Sequence, residues 1–225
     1  MIAPADLSLL ARELAGELHT GDTLRTIYAT DASEYQETPI GVALPRNEND
    51  VRRIIAFAHR HRLGLIPRTA GTSLAGQVVG SSLVLDLGRH LNRIVDFDPI
   101  RRRVRVQPGV VRNELNLFLQ PHGLWFTPET STANRAMIGG MVGNNSCGAN
   151  SIVHGATRDH LLSARGFLSD GSEVTFGPLT ATEFRAKCHG PDTLETRIYR
   201  AVDELLGDAD NRRLIVENFP HRAVT

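Results

Sequence analysis

Two stretches of this chain concentrate residue types that hold an anion or a flat polar ring while using few charges. The first is Pro67-Arg68-Thr69-Ala70-Gly71-Thr72-Ser73-Leu74-Ala75-Gly76-Gln77. Small residues after a strand let successive backbone N–H groups turn inward and form a concave anion site. Thr72 and Ser73 add hydroxyl donors, and Arg68 adds positive charge. Such a loop suits a phosphate or pyrophosphate; a plain surface turn uses the same composition. The second stretch is Pro128-Glu129-Thr130-Ser131-Thr132, followed by Ile138-Gly139-Gly140-Met141-Val142-Gly143-Asn144-Asn145-Ser146-Cys147-Gly148. Gly139-Gly140 permits close approach of backbone to a ligand, and Asn145 and Ser146 offer neutral donors and acceptors. A flat heteroaromatic ring of the flavin kind needs that mixture. So does a buried glycine-rich loop that packs helix against sheet.

Several sharper chemistries fall away. Gly71 and Gly76 have the glycine spacing of a P-loop, but Gln77 and Val78 stand where a lysine and a hydroxyl residue belong. Without them nothing neutralises terminal phosphates or binds magnesium, so nucleotide triphosphate hydrolysis is disfavoured. No Gly-x-Gly-x-x-Gly fingerprint of a dinucleotide-binding βαβ unit occurs. His59 and His61 sit two apart on a predicted helix, where side chains do not share a face, so no metal site is expected. Arg101-Arg102-Arg103 and Arg105 cluster without aromatic interleaving and read as a solvated face, not a single-strand nucleic-acid platform. Lys plus Arg (25) balances Asp plus Glu (25), so no broad field favours nucleic acid or an anionic membrane. No apolar run approaches the roughly 20 residues that span a bilayer. Two cysteines, Cys147 and Cys188, do not make a disulfide framework, and a cytoplasmic location follows as the default.

The elements that must position these loops follow from periodicity. Ala5 to Leu18 is predicted as an amphipathic helix ending near Gly21, and Thr30 to Ile40 as a polar connection. A β-α-β pattern comes next: a strand at Val42-Ala43-Leu44, then a helix carrying Val51, Ile54, Ile55 and Ala58 with Asn49 or Asp50 as its cap. Its second strand is Leu63 to Pro67. The first loop runs from Arg68 to Gly80 and leads into a strand at Leu83 to Leu87. Arg93 to Phe97 and Arg103 to Gln107 form a hairpin turning at Asp98-Pro99. A helix over Val111 to Leu119 places Val111, Leu115 and Phe118 on one face. Pro128 to Gly155 is rich in Gly, Asn, Ser and Thr and lacks periodicity, which in a compact domain marks function. Leu161 to Leu168 and Glu173 to Phe176 flank the turn Ser169 to Ser172. The remainder is helical, with a stripe of Leu194, Ile198, Val202 and Leu205.

Taken together the two loops resemble the FAD-binding domain of the vanillyl-alcohol-oxidase (PCMH-type) family over roughly residues 28 to 176. Pro67 to Leu74 matches its Pro-Arg-x-x-Gly-Thr-Ser-Leu phosphate loop. Ser131-Thr132, Ile138-Gly139-Gly140, Asn145-Ser146-Cys147-Gly148 and His154-Gly155 match its second block in order, and Val106-Gln107-Pro108-Gly109 fits before a helix. Asn144-Asn145-Ser146-Cys147-Gly148 looks most like fusion proteins that join a D-lactate or D-2-hydroxyglutarate dehydrogenase-like flavin module to an iron–sulfur segment. The resemblance implies an α+β fold of two lobes, a small β-α-β lobe and a larger one with a mixed or antiparallel sheet, with FAD between them. It divides the chain into an N-terminal helical segment, 1–27, and an FAD-binding domain, 28–225, lacking the family's later flavin-contacting stretch and substrate-binding cap.

By the same resemblance Arg68, Thr69, Ala70, Gly71, Thr72 and Ser73 would hold the pyrophosphate, and Ser131, Thr132, Gly140, Asn145, Ser146 and Gly148 would line the ribityl chain and ring. Gly76, Gln77, Pro128, Gly139, Asn144, His154 and Gly155 are further cofactor-binding candidates. Thr72 stands where members that attach FAD covalently carry histidine, so binding is expected to be non-covalent. The implied reaction oxidises a D-2-hydroxy acid of the lactate, glycolate or 2-hydroxyglutarate class. The substrate would be held by a C-terminal domain, an iron–sulfur domain or subunit would accept electrons, and no catalytic residue is assigned here. The rival expectations are another oxidoreductase on the same fold, of alditol-oxidase or cell-wall-precursor-reductase type, and a non-catalytic flavin-binding fragment.

Overall fold

The apolar runs Gly41–Leu44 and Leu83–Leu85 have no polar face to show to water, and both lie in fully buried strands, the second ending at Asp86. The computed structural model describes residues 4–219. Its first elements are a helix, α1 (Pro4–Glu13), a short strand, β1 (Glu17–His19), and a second helix, α2 (Asp22–Ile27). Then come β2 (Gly41–Leu44), α3 (Glu48–His61), β3 (Leu65–Arg68) and β4 (Leu83–Asp86). These four strands form one mixed sheet in the order β1-β2-β4-β3. β2 and β3 each pair in parallel with β4, while β1 adds antiparallel on the outer side of β2. Val42, Leu44 and Val84 make a core against which Tyr28 and Ile66 pack.

β1 corrects the expectation of one helix from Ala5 to Leu18. This strand, paired with β2, falls within the stretch expected as an N-terminal helical segment. A buried carboxylate explains the break: Asp50 accepts the backbone N–H groups of Ala15 at 3.0 Å, Gly16 at 2.9 Å and Arg46 at 2.9 Å. Those contacts fix the turn after α1 to the start of α3. Asp50 is therefore not the helix cap; Asn47 is, its side chain accepting the Asp50 N–H at 3.0 Å.

Beyond the sheet, β5 (Ile94–Asp98) and β6 (Arg103–Val106) form an antiparallel hairpin. Helix α4 (Arg112–Leu119) packs on it through Leu115 and Leu119, which with Val110 just before the helix form a buried cluster ringed by Phe97, Val104, Val106, Phe126 and Ile138. The buried face of α4 is Arg112, Leu115, Asn116 and Leu119; Phe118, expected inside, is 38% exposed and lies edge-on to Phe97. The stretch expected to be irregular contains two short helices, α5 (Ile138–Gly143) and α6 (Ser151–His154).

The chain divides into two compact units, one up to Leu161 and one from Leu162 onward. The second unit holds the hairpin β7 (Ala164–Phe167) and β8 (Glu173–Phe176), followed by α7 (Ala181–Cys188), α8 (Leu194–Gly207) and α9 (Ala209–Asn218). The fold is thus α+β with a β-α-β sheet and antiparallel strands, as expected. Besides the β1–β2 pairing, its antiparallel strands form two separate two-stranded ladders, one in each unit, where a larger lobe with a mixed or antiparallel sheet was expected. α7 begins in a capping box between Thr180 and Glu183, and Phe184 packs edge-on against Tyr199 of α8. The expected stripe on α8 is rotated: Thr196 and Tyr199 are buried, while Val202 and Leu205 are 40% and 57% exposed.

Candidate functional site

The first loop leaves the sheet at the carboxyl end of β3, the side on which parallel strands deliver ligand-binding loops. Register on the sheet pairs Arg68 with Asp86, so the loop starts beside a buried carboxylate. The Arg68 guanidinium turns back from solvent. Its Nη1 donates to the carbonyls of Thr30 at 2.7 Å and Tyr28 at 3.3 Å, and its Cζ lies 5.0 Å from the centre of the Tyr28 ring. The Tyr28 hydroxyl donates in turn to Asp86 Oδ2, and Asp86 Oδ1 accepts the N–H groups of Gly88 at 2.7 Å and Arg89 at 3.1 Å. Burial, then the bond to Asp86 and its charge, raise the Tyr28 phenol well above its ordinary range. Burial likewise pulls the Arg68 guanidinium below its usual value, opposed by Tyr28, Asp86 and Asp31.

From Thr69 to Ser73 the chain makes a half-buried turn whose pivot is Gly71, at φ +65°, a left-handed backbone that a side chain rarely adopts. Ser73 organises the rest of the loop: its hydroxyl accepts from the N–H of Ala75 and of Gln77, both at 3.2 Å, and its carbonyl accepts from Ala32 at 3.1 Å. Gly76 lies against the Tyr35 ring, and Gln77 is exposed.

The second loop is tethered at several points. The N–H of Gly139 donates to the carbonyl of Pro108 at 2.8 Å, and that of Ile138 to Val110 at 2.9 Å. Next in line, Gly140 meets the first loop: a Cβ built on it would lie 2.6 Å from Thr69 Oγ1. At that point the backbone of one loop touches the side chain of the other, and a side chain at 140 would displace the Thr69 hydroxyl. After α5, Asn145 turns the chain at φ +46°. Its side-chain carbonyl accepts the Arg158 N–H at 2.9 Å, and Ser146 O accepts from both Thr157 Oγ1 at 2.6 Å and Thr157 N at 3.1 Å. The Asn144 amide donates to Ser146 Oγ at 3.3 Å, and Gly148 N donates to Ser151 Oγ at 3.0 Å. Gly155 closes α6 with a bond to Ser151 O at 2.8 Å, and the carbonyl of His154 meets His160 Nε2 at 2.8 Å.

Pro128 is buried, and α4 holds its segment. Arg112 Nε donates to Pro128 O at 3.0 Å. Asn116 makes a paired bond with the Phe126 backbone, accepting its N–H at 2.7 Å and donating to its carbonyl at 3.1 Å. Thr132 O accepts two turn hydrogen bonds, from Arg135 and Ala136. Ser131, Asn144 and His154 have exposed side chains.

The arrangement fits a ligand with an anionic stretch and a flat polar ring on three counts. Two glycine-containing loops from distant parts of the chain converge at Thr69 and Gly140. The hydroxyl of Thr130, inside the Pro128–Thr132 turn, is buried with no hydrogen-bond partner in the protein. Charge next to the first loop is locally compensated, so an anion there would depend on backbone amides and hydroxyls. Sequence reasoning missed Tyr28, Asp86, Arg112, Asn116 and Thr157, which hold the loops from behind. Only Arg112 and Asn116, polar residues four apart beside Leu115 and Leu119, carried a signal.

Residues 39–177 match the family model described as "FAD binding domain". The chain is 37% identical over 217 residues, 93% of its length, to a D-2-hydroxyglutarate dehydrogenase of Escherichia coli (strain K12), of which it covers 21%. It is 33% identical over 156 residues to the glycolate oxidase subunit GlcD of Bacillus subtilis (strain 168), covering 68% of this chain and 33% of that protein. The chain therefore spans between about a fifth and a third of these curated relatives. Among solved structures, an alkyldihydroxyacetonephosphate synthase superposes with a TM-score of 0.69 over 82% of this chain and 40% of its own, at 19% identity, a likeness of fold.

Proposed function

This chain belongs to the FAD-binding domain family, and from that premise we propose that it is the flavin-holding module of a dehydrogenase that oxidises a D-2-hydroxy acid. The observation that carries the proposal is the junction of the two loops at Thr69 and Gly140. The backbone amides and hydroxyls from Thr69 to Ser73, with Gly76 and Gln77 next to them, hold the pyrophosphate. Pro128, Ser131, Thr132, Gly139, Gly140, Asn144, Asn145, Ser146, Gly148, His154 and Gly155 line the ribityl chain and ring. FAD, when bound, would supply the two-electron oxidising capacity that oxidation of the hydroxy acid needs. The part of this chain is to bind FAD, orient it and shield it from water.

Substrate class is read from the relatives named for D-2-hydroxyglutarate, glycolate and D-lactate. Recognition of the substrate carboxylate belongs, in this reading, to polypeptide that those longer relatives carry outside the matched region. Electron transfer to an iron–sulfur domain or subunit belongs to the same proposal. Among the described residues no helix is long and apolar enough to cross a membrane. Cys147 and Cys188 are unpaired, which supports a reducing, cytoplasmic setting.

The test is the visible spectrum of the purified chain with added FAD, followed by acid precipitation. A flavin spectrum whose colour stays in the acid supernatant is expected, because no covalent link is proposed. Demonstrably folded chain that takes up no FAD would refute the reading.

A further inference from the structure

We propose that Arg68 is a positioning residue that shapes the phosphate loop from behind and does not itself hold the pyrophosphate. Its effect on FAD rests on the flavin reading above; its effect on the loop rests on geometry alone. Three observations carry it. First, the guanidinium is already engaged: Nη1 bridges the carbonyls of Tyr28 and Thr30, and the group lies on the Tyr28 ring. Second, it lies flat against the turn itself, since a Cβ on Gly71 would sit 2.7 Å from Arg68 Cζ and 2.8 Å from Nε. The left-handed Gly71 turn is therefore moulded over the guanidinium plane. Third, its charge has local partners. Asp86 faces it in register across β3 and β4, held by the Tyr28 hydroxyl and two backbone N–H groups, and Asp31 acts on it from the Thr30 side.

A cation placed so joins the segment before the sheet to the loop after it. The planar fork does this and a lysine ammonium does not, because only the fork can bond the carbonyls and stack in one geometry. An anion in the loop is then met by backbone amides and the hydroxyls of Thr72 and Ser73.

The experiment compares wild type, Arg68→Lys, Tyr28→Phe and the double variant. On the apo chain, hydrogen exchange is expected to speed across Gly71–Gln77 by about tenfold in both single variants, with the amides of β2 and β4 unchanged. In FAD titrations by flavin fluorescence, Arg68→Lys raises Kd about tenfold although charge is kept, and the double variant is less than multiplicative. Loop exchange at wild-type rates in both variants overturns the proposal. So does Arg68→Lys binding FAD within about threefold of wild type, the result a simple charge–phosphate contact gives. Should Arg68→Lys fail to fold, Tyr28→Phe carries the exchange test alone. Wild type that binds no FAD defeats the flavin reading, and exchange in the apo chain still decides the role of Arg68.

Discussion

Tyr28 lies outside both loops, yet its phenol joins the floor of the sheet to the start of the first one. Because burial and Asp86 raise its folded-state pKa above the ordinary value of 10.0, the protonated form is favoured in the folded chain. The stabilisation is complete below that ordinary value and is lost as pH rises toward the folded one. Wild type should lose thermal stability above about pH 10 more steeply than Tyr28→Phe, which has no proton to lose. Parallel curves for the two proteins would show that the phenol is not coupled to folding. Gly140 gives a second prediction at this scale. Gly140→Val pushes a branched side chain into the gap to Thr69 Oγ1, at an exposed position where the core is untouched. FAD affinity should fall by about tenfold or more, roughly 1.4 kcal/mol, with little change in melting temperature. Equal affinity would mean that the loop junction does not shape the site.

Helix α4 is the element on which the second loop depends. Arg112 and Asn116 are buried among apolar neighbours and spend their hydrogen bonds on the backbone of Phe126 to Pro128. Asn116→Ala leaves a buried N–H and carbonyl unpaired, at a cost of about 2–3 kcal/mol, measurable by chemical denaturation. A loss below about 0.5 kcal/mol would show that water or relaxation replaces the latch. This latch also marks where sequence reading stops. Apolar runs at β2 and β4, helical spacing in α3 and the Asp98-Pro99 turn were legible because burial on a sheet or helix face writes itself into period. β1 was not, since three residues carry no period and their partner strand lies more than twenty residues away. Asp50 read as a cap because caps favour its residue type. Its carboxylate, besides accepting from nearby Arg46, was claimed by the N–H groups of Ala15 and Gly16, which no local window contains. Phe118 and the α8 stripe show the same limit: the faces buried are Arg112, Leu115, Asn116 and Leu119 on α4 and Thr196 and Tyr199 on α8, not the ones the apolar period suggested.

At the scale of the whole molecule, the loops that would hold FAD are both in the unit ending at Leu161, whereas the family match runs on into the second unit. The order of motifs was legible in the sequence as a resemblance, and the residues proposed to face the flavin are carried over from it. The supports behind them were not, because Tyr28, Asp86 and Thr157 become partners of the loops only through folding. Asn145 illustrates the difference: read as a flavin partner, it also turns the chain at positive φ and holds the Arg158 N–H. The central claim is that two loops separated by some sixty residues of sequence form one FAD site. Hydrogen exchange of the chain with and without saturating FAD tests it most directly. Amides in Thr69–Gln77 and in Ile138–Gly148 are expected to gain protection together, along one FAD titration curve. Protection of a single loop, or of neither in folded protein, would contradict it.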